Sequence, residues 1–274
     1  MAHMNRKSFI AAAVLGLAAA TGAQAQVSDD AVRIGVMADM TGPYAANGGP
    51  GSLLAVRMAV EDFGGKVLGK PIEILQADDQ NKPDVGTNIA RQWLEQNKVD
   101  TIVGGSASAI ALSVNNMMKA AKKPYLLAGT VSTDLTGKAC SPMNIQFGVD
   151  TYSMPKAGVR GLMNQGVKTF FFITVEGAFG DTSLAAGKQF IEQAGGSVVG
   201  NVKHPLGTTD FSSYLLQAQA SKAQAIVIVN AGADQTNALK QAVEYRIARN
   251  GQAVTVFGMT INAVHAMSLD VAQG

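Results

Sequence analysis

Short apolar, β-branched runs alternate along this chain with stretches of helical spacing, and that alternation limits what it can fold into more than any other feature. The runs lie at residues 32–37, 72–76, 101–103, 169–175, 225–229 and 254–257. Each is too continuous for a strand that shows one face to water, so they predict parallel sheets covered on both faces. Between them, residues 53–63, 85–96, 109–121, 155–165, 184–194, 212–220 and 235–248 carry apolar side chains three and four apart, the mark of amphipathic helices. A repeated βα unit with right-handed crossovers follows, which is the α/β class. The rhythm changes at residues 138–150, where Cys140-Ser141-Pro142 leads into an extended 144–149. The boundary between two lobes is expected there, with residues 26–147 in the first and 148–274 in the second.

Residues 1–25 read as a signal peptide. Arg6 and Lys7 precede an apolar run from residue 9 to 20, and small residues stand at Ala23 and Ala25. The run falls short of the roughly 20 residues that cross a bilayer, so export to the periplasm is expected rather than anchoring. The residue after the cleavage point is Gln26, where a lipid-anchored protein would carry cysteine. The full sequence has 22 Lys+Arg and 20 Asp+Glu, so removing Arg6 and Lys7 leaves 20 of each. A neutral chain has no clustered positive charge to draw nucleic acid or an anionic membrane surface. Cys140 is the single cysteine. No internal disulfide can form, and the residue is expected as a small, partly buried thiol.

In open α/β sheets ligands gather at the carboxyl ends of strands, so the loops after the strands carry the functional signal. Residues 39–52 read DMTGPYAANGGPGS, 104–108 GGSAS, and 129–137, after a short strand near 125–128, GTVSTDLTG. All three are rich in Gly, Ser, Thr or Asn and poor in charge. Amides and hydroxyls of this kind suit hydrogen bonding to a small polar molecule better than proton transfer. In the second loop, Gly104 and Gly105 let the backbone approach a ligand. Ser106 and Ser108 set hydroxyls beside the unpaired N–H groups of a helix start, a place suited to a carboxylate. Alternatively, one serine merely caps the helix.

Other residues invite stronger readings than their surroundings support. Asp78 and Asp79, with Asn81, Pro83 and Asp84 nearby, suit a turn and helix cap better than a metal site. Trp93 and the run 170–172 read as core. Tyr44, an aromatic in a glycine-rich loop, fits site and scaffold equally. His204 and His265 have no neighbouring His or Cys at ligand spacing, so no metal is expected. No G-x-G-x-x-G follows the first strand, and no cofactor is expected. Gly104-Gly105-Ser106-Ala107-Ser108 comes within one glycine of a nucleophile elbow, with His265 downstream. A secreted serine hydrolase is therefore an alternative, weakened because the missing glycine is the one that permits the strained turn.

Taken in order, the N-terminal segment, DMTGPYAANGGPGS, ADDQNKPDVG, VGGSASAIAL, AGTVSTDLTGKACSP, GAFGD and TDFSSYL resemble the type I periplasmic substrate-binding proteins of ABC importers, and within them the branched-chain amino acid (Leu/Ile/Val-binding) family. The resemblance covers nearly all of the exported chain. It implies two α/β lobes, joined by crossover strands, that close over one small ligand and deliver it to a membrane permease, with no bond made or broken. It places Ser106 and Ser108 at the ligand carboxylate. Gly129, Thr130 and Ser132 fall at its polar head, Tyr44 and Asn47 over its side chain, Phe179 as a closing aromatic, and Thr260 in a loop where amino acid binders place an acid. No acid stands at or beside Thr260, although Glu176 near Phe179 is a substitute. A desolvated ammonium without a partner is costly, which favours a carboxylate or amide over an ordinary amino acid. Family members continue past the stretch resembling residues 269–274 to complete the first lobe, so that lobe is expected to expose apolar surface. A monomer is usual in such a family. A ligand-sensing module reporting to a receptor would use the same fold and pocket.

Overall fold

The computed structural model describes residues 29–258 together with 264, 265 and 267. Two sheets organise it. The first has strand order β2-β3-β1-β4-β5-β6, built from β1 (Val32–Ala38), β2 (Lys66–Val67), β3 (Lys70–Asp78), β4 (Thr101–Gly104), β5 (Tyr125–Leu127) and β6 (Asn144–Gln146). All its pairings are parallel except the short β2–β3 hairpin. The second has the order β10-β9-β7-β8, from β7 (Thr169–Val175), β8 (Ser197–His204), β9 (Ala225–Val229) and β10 (Ala253–Val256), parallel throughout. Seven helices cover them: α1 (Ala45–Asp62), α2 (Pro83–Glu95), α3 (Ser108–Ala121), α4 (Ser153–Asn164), α5 (Ala178–Gln193), α6 (Ser212–Ala220) and α7 (Gly232–Glu244).

The continuous apolar runs go where burial on both faces requires. Every residue of β9 is buried, as is all of β7 after Thr169. Trp93 lies in the first lobe's core against Gly35, whose missing side chain leaves room for the indole, and Phe170 and Phe172 are fully buried. The alternation thus gives the α/β class with parallel sheets flanked by helices, as the sequence predicts. Four strands lie outside the six predicted runs; β5 and β6 fall at the short strand near 125–128 and the extended 144–149 that the sequence marks, while β8 and β2 have no such signal. β8 reads SVVGNVKH and alternates exposed with partly buried positions, because it is an edge strand rather than a covered one. β2 has only two residues. Helix α1 begins earlier than its apolar spacing predicts, running through Gly48, Gly49 and Pro50 with a kink at Gly48.

The chain leaves the first sheet at Gln146 and reaches α4 through Gly148, at φ +94. That connection is tied back by Thr151, whose N–H donates to Val131 O at 2.6 Å and whose Oγ1 accepts from Thr133 N at 3.1 Å. Cys140 corrects the expectation of a partly buried thiol. It is exposed, in the turn after the 3-10 helix Thr133–Leu135. Leu54, Met58 and Phe63 along and just after α1, and Ile145, Phe147 and Val149 in and after the edge strand β6, are exposed.

Each lobe sets its first long helix hard against the end of its first strand. In α5, a Cβ on Gly180 would lie 1.8 Å from Val175 O, and in α1 a Cβ on Gly49 would lie 2.2 Å from Asp39 O. No rotamer relieves a clash with backbone. Gly180→Ala is therefore expected to cost about 2 kcal/mol or more in urea unfolding, although alanine is the better helix former. An unchanged or raised midpoint would show that the helix–strand contact is looser than this spacing.

Candidate functional site

A cleft of about 300 Å³ opens between the carboxyl ends of the two sheets. Its first-lobe wall starts at β4. Gly104, at φ +152, is the residue through which that strand turns away from β1, and a Cβ there would lie 1.8 Å from Met37 O. Gly105 follows at φ +79. Only glycine takes this path without strain, and it delivers the start of α3 to the cleft floor. The N-cap of α3 is Ala107, with no side chain capping the helix. Neither serine caps it. Ser108 is the first helical residue, and the hydroxyl of Ser106 accepts from Asp39 N at 3.3 Å. The leading amides of α3 thus keep their unpaired N–H groups and the positive end of the helix dipole, which together attract an anion.

The loop after β1 forms the second part of this wall and is held by carboxylates, Asp39 buried and Asp78 half-buried. Asp39 accepts from Gly42 N at 2.5 Å and Tyr44 N at 2.8 Å. Asp78 accepts from Met40 N, Gln80 N and the Thr41 hydroxyl, the turn-stabilising role expected of it. Asp79 accepts from Asn81 N at 2.9 Å, while its Oδ2 is buried without a partner among the described residues. Asp39, Asp78 and Asp79 bring ligand atoms within 4.8 Å of one another, with backbone or hydroxyl donors on each. Burial pushes the Asp79 carboxyl up to about 6, against the hydrogen bond from Asn81 and with help from the neighbouring Asp39 charge. Tyr44, packed over this cluster, has its phenol pushed up by burial and by the charges of Asp234 and Asp39.

The second lobe supplies Met154, Phe179, Asn230, Ala231, Gln235, Phe257 and Gly258. Gln235 in the first turn of α7 donates to Asn230 O at 3.2 Å and Gly258 O at 3.0 Å, fixing two strand ends together. Asn230 donates through Nδ2 to His204 Nε2 at 3.3 Å. The lobes touch at the cleft edge. Ala233 N donates to Pro43 O at 3.4 Å, and a Cβ on Gly232 would lie 2.1 Å from the same oxygen.

Of the residues singled out in the sequence, Tyr44, Asn47, Ser106, Ser108, Gly129 and Phe179 line this one cleft. Thr130 and Ser132 do not line it. Both are buried beside it, the Thr130 hydroxyl 3.4 Å from that of Ser108 and the Ser132 hydroxyl accepting from Asp134 N at the start of a 3-10 helix. Thr260 lies outside the described residues, as do the expected signal peptide and residues 269–274. Glu176 is exposed and away from the lining, so it does not substitute for an ammonium partner. Among the described residues no Asp, Glu, Lys, Arg or His lines the cleft. The hydrolase alternative finds no support in this arrangement. His265 is exposed, and among the described residues no histidine is hydrogen-bonded to Ser106. Asn230, Gln235 and Asp39 escaped the sequence reading. Asn230 ends a strand that looks purely apolar, and Asp39 looks like one more turn residue.

Two parallel α/β units meeting over a small-molecule cleft define a class, the two-lobed solute-binding proteins. Residues 31–274 match the family profile described as periplasmic binding protein. A periplasmic binding protein from Burkholderia mallei has the same fold at a TM-score of 0.86 and 43% identity, covering 88% of this chain and 64% of that one. A branched-chain amino acid ABC transporter periplasmic ligand-binding protein from Burkholderia xenovorans superposes at 0.72 with 38% identity and the same coverage. A Leu/Ile/Val-binding protein homolog of Brucella abortus is 24% identical over 81% of this chain and 55% of its own. The chain belongs to the periplasmic binding protein family. It spans 64% of the two Burkholderia structures and about half of the Brucella relative. Among the described residues no helix is long and apolar enough to cross a membrane.

The raised carboxyl of Asp79 makes stability depend on pH with a definite sign. Unfolded, the group ionises near 3.8; folded, it holds its proton to about 6. The stability it contributes is complete below about pH 4 and is lost as pH rises through about 6. Asp79→Asn removes that loss, so its melting temperature relative to wild type should be several degrees higher at pH 7.5 than at pH 4. Equal differences at the two pH values would contradict the assignment.

Proposed function

We propose that this chain is the solute-binding component of an ABC uptake system, exported to the periplasm by residues 1–25 and working as a monomer with an inner-membrane permease. It captures a small carboxylate-bearing solute between a first lobe ending at residue 147 and a second beginning at 148. The observation that carries this reading is the uncapped start of α3 at the cleft floor, beside Ser106 and Ser108. An anion there gains several N–H and O–H donors at once without displacing a side chain that already uses them. The branched-chain amino acid description of the Burkholderia xenovorans neighbour supports a small ligand with a carboxylate. The uncharged lining among the described residues supports a ligand without an ammonium.

Binding becomes a signal through closure. Phe179 and Asn230 face the ligand from the second lobe, so bound solute stabilises the state in which Ala233 N reaches Pro43 O. Gly148 and the loop residues around it absorb the rotation. A permease that reads the closed form thereby reads occupancy.

A thermal-shift screen with leucine, benzoate and related small carboxylates identifies a working probe. In calorimetry with that probe, Ser106→Ala and Phe179→Ala should each lower affinity about tenfold or more, the first by removing a donor to the carboxylate and the second by removing apolar contact area. If neither variant weakens binding, the solute sits elsewhere.

A further inference from the structure

The neutral lining of the cleft holds an asparagine placed to become charged by covalent chemistry rather than by titration. Asn47 lines the cleft and is exposed, in the first turn of α1. Gly48 follows it and lines the cleft too. In an Asn-Gly pair the backbone nitrogen of the glycine can attack Cγ of the asparagine. A bond forms between that nitrogen and Cγ, the bond from Cγ to Nδ2 breaks, and the proton of the attacking nitrogen leaves with the departing amide as ammonia. Water then opens the five-membered imide at either of its carbonyl carbons, which leaves aspartate or isoaspartate. Glycine favours the reaction because it has no side chain to shield its nitrogen or restrict the turn of the backbone.

The helix is interrupted at this pair. Gly48 departs from helical φ/ψ inside α1, at φ 179 and ψ −1, and Pro50 has no N–H to give to the helix ladder. No side chain caps the start of the helix. A Cβ added at Gly48 would meet the Ser52 hydroxyl at 3.3 Å and nothing else among the described residues, so the ring has room to close. The sequence contains a second such pair, Asn250-Gly251. There Gly251 N already donates to Ala248 O at 3.1 Å, and neither residue lines the cleft.

We propose that Asn47 is a site of spontaneous deamidation, and that the carboxylate it leaves in the cleft turns off capture of anionic solutes. The second half rests on carboxylate capture at α3. The first turn of α1 carries no acid, and a carboxylate there faces the positive end of its own helix, so the product is held ionised. In a cleft of about 300 Å³ it stands close to the solute's carboxylate, and among the described residues no Lys, Arg or His lines the cleft to offset it. Like charges brought together in such a site repel strongly. The same chemistry at Asn250 would leave its charge outside the cleft, which makes that pair an internal control.

The test uses the full chain, fresh and after warm incubation at mildly alkaline pH, with peptide mapping by mass spectrometry and calorimetry with benzoate and leucine as probes. Aspartate and isoaspartate should accumulate at residue 47 faster than at residue 250, and the number of binding sites per chain should fall in step with conversion at 47. Asn47→Asp should lower affinity for benzoate or leucine about tenfold or more, and the loss should shrink in high salt, which screens repulsion but does not restore a lost contact. Should that variant fail to fold, the incubated wild type decides alone. Residue 47 left intact while residue 250 or the urea-unfolded chain converts overturns the modification. Converted chain that binds as tightly as fresh chain overturns the switch. If fresh chain binds neither probe, capture at α3 falls and takes the switch with it, and the peptide map alone decides the modification.

Discussion

Everything at the cleft depends on one close approach, that of Gly104 to the carbonyl of Met37. Two strands of a parallel sheet can end so tightly only where one of them has no side chain, and the path that glycine opens sends the following residues directly into a helix. The first amides of α3 then face the space between the lobes instead of being capped by a preceding serine or aspartate. A helix start of this kind is a fixed partial positive charge made of backbone alone, indifferent to pH and correctly placed before any solute arrives. It suits capture of an anion that is to be released unchanged.

The loop after β1 completes the wall at a cost in electrostatics. Holding Tyr44 over the cleft takes a carboxylate beneath it, and Asp39 is that group, buried and bonded to the Gly42 and Tyr44 amides. Asp79 is packed close by, and burial in that dry corner, with a smaller push from the Asp39 charge, raises its carboxyl to about 6. The second lobe repeats the pattern at Asp234, also pushed to about 6 by burial, although the amides of Gly207 and Thr208 hold it down. In both lobes the acids lie behind the cleft wall as loop anchors, and the lining itself is neutral. That separation lets a carboxylate enter without meeting a like charge.

The layered α/β plan was legible from the spacing of apolar residues because burial on both faces leaves no room for polar interruptions, as in β7 and β9. The edge strand β8 was not, since its exposed face carries the polar residues a loop would carry. The first-lobe half of the cleft was legible for a different reason. Glycine and serine clusters after strands have few other uses, so Ser106, Ser108 and Gly129 stood out. Asn230 did not, because it is held by His204, which lies 26 positions earlier and touches it only once β8 and β9 flank β7. No local pattern encodes that contact. Thr130 and Ser132 show the opposite error: loop chemistry suggested a ligand, whereas their hydroxyls turn inward to Ser108 and to the backbone of Asp134.

The most direct measurement is a crystal structure of this chain grown with the small carboxylate that binds it in the thermal-shift screen. The account predicts the carboxylate within hydrogen-bond distance of the Ser106 hydroxyl and the first amides of α3, with the rest of the solute beside Phe179. A carboxylate turned toward α7, or a solute bound outside the cleft, would contradict it.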